Sequence, residues 1–290
     1  MRIEVKDLRY SYGGAKKRKT EKYALDGVSL TIVEGEFFGI IGQTGSGKST
    51  FVQHLNGLIP LKEGMGEIKV GNYDLSDKRV NLKELRSKVG TVFQYPEYQL
   101  FAETVEEDVA FGVKNFFPEK SAEEIKDVVK TAIELVGLDY PALKDKSPFE
   151  LSGGQKRRVA IAGVIASRPE VLVLDEPAAG LDPQGKKDFL ELLVRLHKDF
   201  VRTVVIVSHD MNLVAEYCDG AAVFKDGKII KRGTTEEVFA DRECIFKSGL
   251  DLPVVEYLKE KLAEKGEKIA CGTKISEFLD AVTQRWGGKT

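Results

Sequence analysis

A glycine-rich turn is the strongest chemical signal in the sequence. The segment from Gly42 to Ser49 reads GQTGSGKS and fits the pattern G-x-x-x-x-G-K-[ST] at every fixed position. Glycines let successive backbone N–H groups close around a phosphate, because no Cβ atoms stand in the way. Lys48 can reach the outer phosphates of a nucleotide, and the Ser49 hydroxyl can bind Mg²⁺. The predicted phosphate-binding residues are Gly42, Gln43, Thr44, Gly45, Ser46, Gly47, Lys48, Ser49 and Thr50.

Two adjacent carboxylates form the second signal. The apolar run Val171–Leu174 ends in Asp175 and Glu176. Ligands of α/β proteins bind at the carboxyl ends of the strands, so both side chains are expected beside the phosphate turn. Asp175 can then hold the Mg²⁺ shell, and Glu176 can polarise an attacking water. Apolar strands that end in acids are common, so this prediction depends on its pairing with the turn.

A third motif lies about 20 residues before the acidic strand end. It reads LSGGQ, from Leu151 to Gln155, and its two glycines at a helix start can form a second anion cradle beside the Ser152 hydroxyl. This motif distinguishes ATP-binding cassette (ABC) proteins from other P-loop ATPases. Over about residues 1–233, the chain therefore resembles an ABC ATPase. The implied nucleotide contacts are Ser152, Gly153, Gly154 and Gln155.

The resemblance implies roles for further residues. Gln94 matches the glutamine that touches Mg²⁺ and water, and His209 matches the switch histidine at the γ-phosphate. Tyr12 resembles the aromatic residue that stacks on adenine, and Asp182 lies in the segment after the acidic pair that contacts nucleotide. The implied cofactors are ATP and Mg²⁺. The implied catalytic residues are Lys48, Gln94, Glu176 and His209, and the implied metal ligands are Ser49, Gln94 and Asp175.

The family also implies a head-to-tail dimer. Each ATP would lie between the Lys48 turn of one chain and the segment Ser152–Gln155 of the other. Both the Lys48 turn and the segment Ser152–Gln155 are complete in this sequence. The sequence is therefore compatible with a homodimer and with a heterodimer with a paralogous ATPase.

The type of ABC protein is indicated by segments outside the nucleotide motifs. They are FQYPEYQLF at 93–101, TVEEDVAFG at 104–112 and QKRRVAIAG at 155–163, and they resemble the energy-coupling factor type. Such ATPases drive uptake of vitamins or transition-metal ions, with a transmembrane coupling protein and a substrate-binding membrane subunit as partners. The alternatives are the ATPase of a different ABC importer and a soluble ABC ATPase outside transport. The absence of a heptad run argues against the DNA-repair class, and the single cassette argues against the ribosome-associated class.

Composition limits the partners. The chain has 290 residues, and 44 Lys and Arg balance 46 Asp and Glu, for a net charge of −2. This balance gives no case for a nucleic-acid partner. No apolar stretch approaches the ~20 residues that cross a bilayer, and the charged N-terminus is unlike a signal peptide. The three cysteines form no metal or disulfide pattern. We expect a soluble chain that binds peripherally at the cytoplasmic face of the cell membrane.

The pattern of elements predicts the fold class. Short apolar strands alternate with helices, which is typical of an α/β fold. The resemblance adds a P-loop NTPase core sheet and an antiparallel β subdomain. The chain from about 95 to 166 is mostly helical, and we predict an inserted helical subdomain there. Ser121 and Glu124 predict a capping box at the start of one of its helices, and Ser152 could cap another. Asp226 and Gly227 predict a two-residue hairpin. Residues 1–233 would form the ATPase domain, and 234–290 a C-terminal helical extension that supports dimerisation. The predicted strands are Ile3–Leu8, Ser29–Val33, Phe37–Ile41, Val89–Phe93, Val171–Leu174, Thr203–Ser208, Ala221–Lys225 and Lys228–Lys231.

Two loops are candidate binding sites for partners. The basic loop at 15–22 could touch nucleotide or lipid phosphates, although its charge favours a solvated loop. The segment after Gln94 concentrates apolar and aromatic side chains, which typically marks a docking site for a partner helix. The alternative is that Leu100 and Phe101 fill the joint between sheet and helical subdomain. The residues concerned are Tyr95, Pro96, Tyr98, Leu100 and Phe101.

Overall fold

The computed structural model describes residues 1–13 and 23–287. The basic loop at 15–22 lies outside the described residues. The strands are β1 (Ile3–Tyr10), β2 (Leu25–Ile32), β3 (Phe37–Gly42), β4 (Glu67–Val70), β5 (Tyr73–Asp74), β6 (Val89–Val92), β7 (Val171–Asp175), β8 (Thr203–Val207), β9 (Gly220–Lys225) and β10 (Lys228–Thr234). The α-helices are α1 (Lys48–Leu55), α2 (Leu82–Lys88), α3 (Val105–Phe116), α4 (Ala122–Leu135), α5 (Tyr140–Leu143), α6 (Gly153–Ile165), α7 (Pro183–Asp199), α8 (Met211–Tyr217), α9 (Thr235–Ala240), α10 (Arg242–Lys247), α11 (Val254–Glu264) and α12 (Ile275–Trp286).

A mixed sheet forms the centre of the molecule, with the order β10-β9-β3-β8-β7-β6. Its strands pair in parallel except at the β9–β10 edge, where the pairing is antiparallel. All residues of β3, β7 and β8 are buried, because helices and the second sheet cover the two faces. This explains why these strands read as unbroken apolar runs rather than as alternating patterns. The parallel order brings the carboxyl ends of β3, β7 and β8 to one edge.

A second sheet of order β2-β1-β4-β5 is antiparallel. The sheet contributes Ile3, Leu30 and Ile68 to a core shared with β3 and α1. The prediction of an α/β P-loop fold with an antiparallel β subdomain is confirmed. The predicted bounds of its first two strands were wrong, since β1 continues to Tyr10 and β2 begins at Leu25. Strands β4 and β5 were not predicted.

The region between β6 and β7 is helical and contains α3 to α6. Helix α4 begins with the predicted capping box, in which Ser121 and Glu124 bond each other's backbone N–H groups. Helix α6 begins with another, formed by Ser152 and Gln155. Helix α6 packs against α3 and α4, and its buried face joins the main core. The motif LSGGQ is therefore held rigidly at a helix N-terminus.

The C-terminal residues pack against the rest of the chain. Asp226 and Gly227 connect β9 to β10 in the predicted hairpin, and the short helices α9 and α10, which were not predicted, follow. The Val254 N–H donates to Asn212 Oδ1 at 2.7 Å, and the Thr273 hydroxyl donates to the Ala215 carbonyl at 2.9 Å. Both acceptors lie on α8. Within residues 1–13 and 23–287, no helix has the length and apolar character to cross a membrane.

Candidate functional site

An open cleft of about 890 Å³ lies at the carboxyl ends of the parallel strands. It brings together residues from several separate parts of the sequence. The predicted residues that line it are Tyr12, Gly42, Gln43, Thr44, Gly45, Gly47, Lys48, Ser49, Thr50, Gln94, Asp175, Glu176 and His209. Ser46 lies in the same turn, and its hydroxyl oxygen is buried without a hydrogen-bond partner.

The phosphate turn connects β3 to α1. Gly47 has φ +107°, and a Cβ there would lie 2.5 Å from the Ala24 carbonyl oxygen, so only glycine fits. Lys48 begins α1, and its Nζ donates to the carbonyls of Gly42 at 2.8 Å and Gln43 at 2.9 Å. Burial lowers the pKa of Lys48, although the charges of Asp175 and Glu176 oppose this effect. The ammonium is therefore held inside the curve of the turn.

Asp175 fits the role of a metal ligand. The carboxylate is only 8% exposed, and Oδ1 is buried without a hydrogen-bond partner. Burial raises its pKa, and a hydrogen bond with Ser49 acts against that shift. The part of the chain that the structure describes holds no group of three or more His, Cys, Asp or Glu residues that could enclose an ion. The observation that fits Mg²⁺ is the buried Asp175 oxygen, because this ion takes one or two protein carboxylates and completes its shell with phosphate and water.

Glu176 and His209 face each other across the cleft. Nδ1 of His209 lies 2.6 Å from Oε2 of Glu176. The Glu176 backbone has φ +49°, an uncommon conformation for a residue other than glycine, and such strain is concentrated at functional sites. Asp210 follows His209 and caps α8 through the Leu213 N–H. Its carboxylate also forms an ion pair with Lys186 of α7, so the segment that carries His209 also contacts a second helix.

Tyr12 lies at the rim of the cleft with a side chain that is 68% exposed. Its hydroxyl is 2.8 Å from the Thr50 hydroxyl, which holds the ring beside the phosphate turn. The Tyr10 ring packs edge-on against it, with centroids 4.9 Å apart. The free face of Tyr12 is therefore placed for stacking against a flat ligand.

Besides Ser46, five predicted nucleotide contacts do not line the cleft. Ser152 and Gln155 lie at the N-terminus of α6, where they cap the helix; Ser152 is exposed and Gln155 is half-buried. Among the described residues, no atom lies within 4 Å of where a Cβ of Gly153 or Gly154 would stand, so this helix start is not covered by them. Asp182 caps α7 by accepting from the Gly185 N–H. Within a single chain, then, the LSGGQ segment is separate from the phosphate turn.

Sequence reasoning missed one side of the cleft. Gly249, Leu250, Asp251 and Leu252 line it, although they are more than 190 residues beyond the phosphate turn. Nε2 of Gln43 donates to the Gly249 carbonyl at 3.2 Å. No local pattern in this segment, which reads GLDLP from Gly249 to Pro253, indicates that it folds back on the turn. The cleft is also lined by Ala24, Asp210, Met211 and Asn212.

The segment after Gln94 divides into buried and exposed residues. Pro96 and Leu100 are buried, so their predicted place in an exposed docking cluster was wrong: Leu100 joins the main core. Tyr98 is 84% exposed and Phe101 is 60% exposed. The Phe101 ring packs edge-on against the exposed Phe111 of α3, with centroids 4.9 Å apart. We define Tyr95, Tyr98, Phe101 and Phe111 as the aromatic patch.

The fold and cleft define a P-loop nucleotide-binding protein. Residues 25–179 match the family model described as ABC transporter. The energy-coupling factor transporter ATP-binding protein EcfA2 of Clostridium perfringens is 50% identical over 270 residues, which cover 93% of both chains. The protein of that name from Clostridium acetobutylicum is 51% identical and covers 93% of this chain and 92% of its own.

Solved structures agree with these relatives. The cbiO1 protein of Clostridium perfringens, described as part of the ABC transporter complex cbiONQ, superposes with a TM-score of 0.72 at 41% identity, over 89% of this chain and 98% of that one. The ATP-binding cassette MJ0796, a dimer bound to ADP and Pi, superposes with a TM-score of 0.68 at 30% identity, over 80% of this chain and 98% of that one. The chain therefore belongs to the ABC transporter family, among the ATP-binding proteins of the energy-coupling factor type. It is an ATPase.

Proposed function

We propose that this chain is the motor subunit of an energy-coupling factor importer, in which ATP binding and hydrolysis in a head-to-tail dimer drive uptake of a vitamin or a transition-metal ion. The observation that carries the proposal is the cleft. It gathers the phosphate turn, the paired carboxylates and the switch histidine, while the LSGGQ segment faces outward. Such a cleft is half of a site that a second chain would complete.

The chemistry of hydrolysis follows from the placement of the side chains. Lys48 and the backbone N–H groups of the turn would bind the phosphates, and Tyr12 would stack on the adenine. Mg²⁺, held by Asp175, Ser49 and Gln94, would supply positive charge at the phosphates. Glu176 would accept a proton from the attacking water or orient it, and His209 would hold the Glu176 carboxylate in place.

The second chain would supply Ser152, Gly153, Gly154, Gln155 and Asp182 to the nucleotide. Because this chain carries both halves, a copy of itself can complete the site, and a paralogous ATPase could do so in a heterodimer. Residues 1–233 would form the ATPase domain, and 234–290 would stabilise the pair. The extension keeps large apolar side chains exposed, which supports a role in association. They are Val254, Tyr257, Leu258, Ile275 and Leu279.

The aromatic patch would dock the membrane partners at the cytoplasmic face of the membrane. Its exposed rings lie directly after Gln94, which lines the cleft, so a partner helix resting on them would be close to the nucleotide. Aromatic residues of this kind often dominate binding energy. The partners would be a transmembrane coupling protein and a substrate-binding membrane subunit, and the proposal includes no nucleic acid.

Copurification from native membranes tests this function. The wild-type chain should bring down polytopic membrane proteins, and the double variant Tyr98→Ala with Phe101→Ala should lose them while its basal ATP hydrolysis remains. Ile230→Ala is the control, since Ile230 is an exposed large apolar residue on β10, outside both the aromatic patch and the extension. Recovery of the same membrane proteins with the double variant would refute docking at the patch. Recovery of none with the wild-type chain would refute the importer function.

A further inference from the structure

A buried arginine connects the segment after Gln94 to the loop after Glu176. Arg157 lies on α6 and is only 4% exposed. Its Nε donates to Glu97 Oε2 at 3.0 Å, and its Nη2 donates to Glu97 Oε1 at 2.8 Å. Glu97 belongs to the short 3-10 helix Pro96–Gln99, between the exposed rings of the aromatic patch. The pair is therefore a bidentate, charge-assisted contact in a site that water barely reaches.

The Arg157 guanidinium also binds the backbone of the loop after Glu176. Nη1 donates to the Pro177 carbonyl at 3.1 Å, and Nη2 donates to the Ala179 carbonyl at 3.0 Å. The Ala179 N–H in turn donates to the Glu176 carbonyl at 3.1 Å. One side chain thus links the docking segment to the backbone that sets the position of Glu176.

A second contact joins the same two segments. Gly180 has φ +75°, and a Cβ at this position would lie 3.3 Å from Cε1 of Tyr95. The Tyr95 ring therefore rests on the loop 177–182, and Tyr95 itself has an uncommon φ of +54°. The segment 95–97 and the loop 177–180 contact each other through a ring on one side and through Arg157 on the other.

We propose that Arg157 is a positioning residue that makes the loop 177–182 follow the segment 95–101, so that docking at the aromatic patch sets the geometry of Glu176 and Asp182. This inference rests on the proposed function and deepens it. A guanidinium can hold a carboxylate and two carbonyls at once, because its five N–H groups are arranged in a rigid fork. A lysine at this position would keep the charge but could not span all three acceptors.

The buried Arg157 guanidinium and the Glu97 carboxylate carry opposite charges. Although burial acts to raise it, the hydrogen bonds from Arg157 hold the pKa of Glu97 below its ordinary value, so the carboxylate stays ionised at neutral pH. Removing that charge with Glu97→Gln changes one end of the link without altering any residue of the loop or the cleft. An effect of this variant on the loop 177–182 would have to pass through Arg157 or the neighbouring Tyr95.

The test is hydrogen–deuterium exchange on the purified chain combined with steady-state ATP hydrolysis. In both Glu97→Gln and Arg157→Lys, we expect the backbone amides from Ala178 to Asp182 to exchange about threefold faster or more, as expected when a local contact is weakened. We expect kcat for Mg²⁺-ATP to fall about tenfold, because misplacing a reacting group by 1 Å can cost ~10²-fold. KM should change by less than about twofold, since the phosphate turn is untouched.

The double variant shows whether Glu97 and Arg157 act through one shared contact or affect ATP hydrolysis independently. Because both residues act through one contact, Glu97→Gln with Arg157→Lys should lower kcat no further than the larger single effect. Arg158→Lys is the matched control. Its Nη1 donates to the Val136 carbonyl at 2.7 Å within the helical region, so the same substitution one residue along α6 should leave exchange at 178–182 unchanged.

Two results would overturn the proposal. One is wild-type exchange at 178–182 in Glu97→Gln and Arg157→Lys. The other is a lowered melting temperature with unchanged kcat, which would make the contact purely structural. A wild-type chain that hydrolyses no ATP would instead refute the proposed function, and the exchange measurement would still decide the role of Arg157.

Discussion

Replacing Gly249 with alanine tests whether the C-terminal residues form part of the nucleotide cleft. Gly249 has φ +69°, and a Cβ there would lie 2.0 Å from Nε2 of Gln43. The left-handed backbone costs an alanine about 1–2 kcal/mol. Displacing Gln43 also removes its hydrogen bond to the Gly249 carbonyl, which contributes about 0.5–1.5 kcal/mol. The expected loss of stability is therefore about 2–3 kcal/mol.

The matched control is Gly266→Ala. Gly266 has φ +83°, and no atom of the described residues lies within 4 Å of the Cβ position. An alanine there is therefore destabilised only by the left-handed backbone. Urea unfolding should show Gly249→Ala to be less stable than this control by about 1 kcal/mol. Calorimetric titration with ATP should show weaker binding for Gly249→Ala only, because Gln43 belongs to the phosphate turn. Equal stability and equal ATP affinity of the two variants would refute the assignment of 249–252 to the cleft.

Two further predictions concern the carboxylates. Glu176→Gln should bind ATP as the wild type does and hydrolyse it ~10²–10⁴-fold more slowly, measured as phosphate release beside equilibrium binding. Wild-type turnover in this variant would remove Glu176 from the mechanism. Asp175→Asn should raise the melting temperature of the nucleotide-free chain by roughly 2–4 °C, the shift that ~1 kcal/mol gives in a protein of this size, because the charge of a buried carboxylate that is only partly hydrogen-bonded is removed. The same variant should lose the Mg²⁺ dependence of ATP binding, and scanning calorimetry showing a lower melting temperature would contradict the account of Asp175.

The elements that sequence reasoning found have strong local signals. The buried strands β3, β7 and β8 are unbroken apolar runs, and the capping box of α4 is a pattern of four residues. Ser152 at the start of α6 is a typical N-cap residue. The hairpin between β9 and β10 follows from Asp226 and Gly227. Strands β4 and β5 were missed because they contain only four and two residues, which is too short for an alternating pattern to be distinguished from a loop.

The parts of the site that sequence reasoning missed depend on contacts between distant residues. Gln43 and Gly249 are 206 positions apart, and Arg157 and Glu97 are 60 apart. Nothing in the neighbourhood of either residue of a pair identifies its partner. Leu100 and Tyr98 show the same limit. Both are large apolar or aromatic residues in one short run, and only packing against the main core separates buried Leu100 from exposed Tyr98.

The central claim is that the cleft is half of a site that the LSGGQ segment of a second chain completes. The most direct measurement mixes Lys48→Ala chains with Ser152→Arg chains, each inactive alone, and follows Mg²⁺-ATP hydrolysis. Every mixed dimer would hold one intact site, formed by Lys48 of one chain and Ser152 of the other. The account predicts recovery of roughly a quarter of wild-type activity, since half of the dimers are mixed and each has one working site of two. A mixture as inactive as either parent would contradict it.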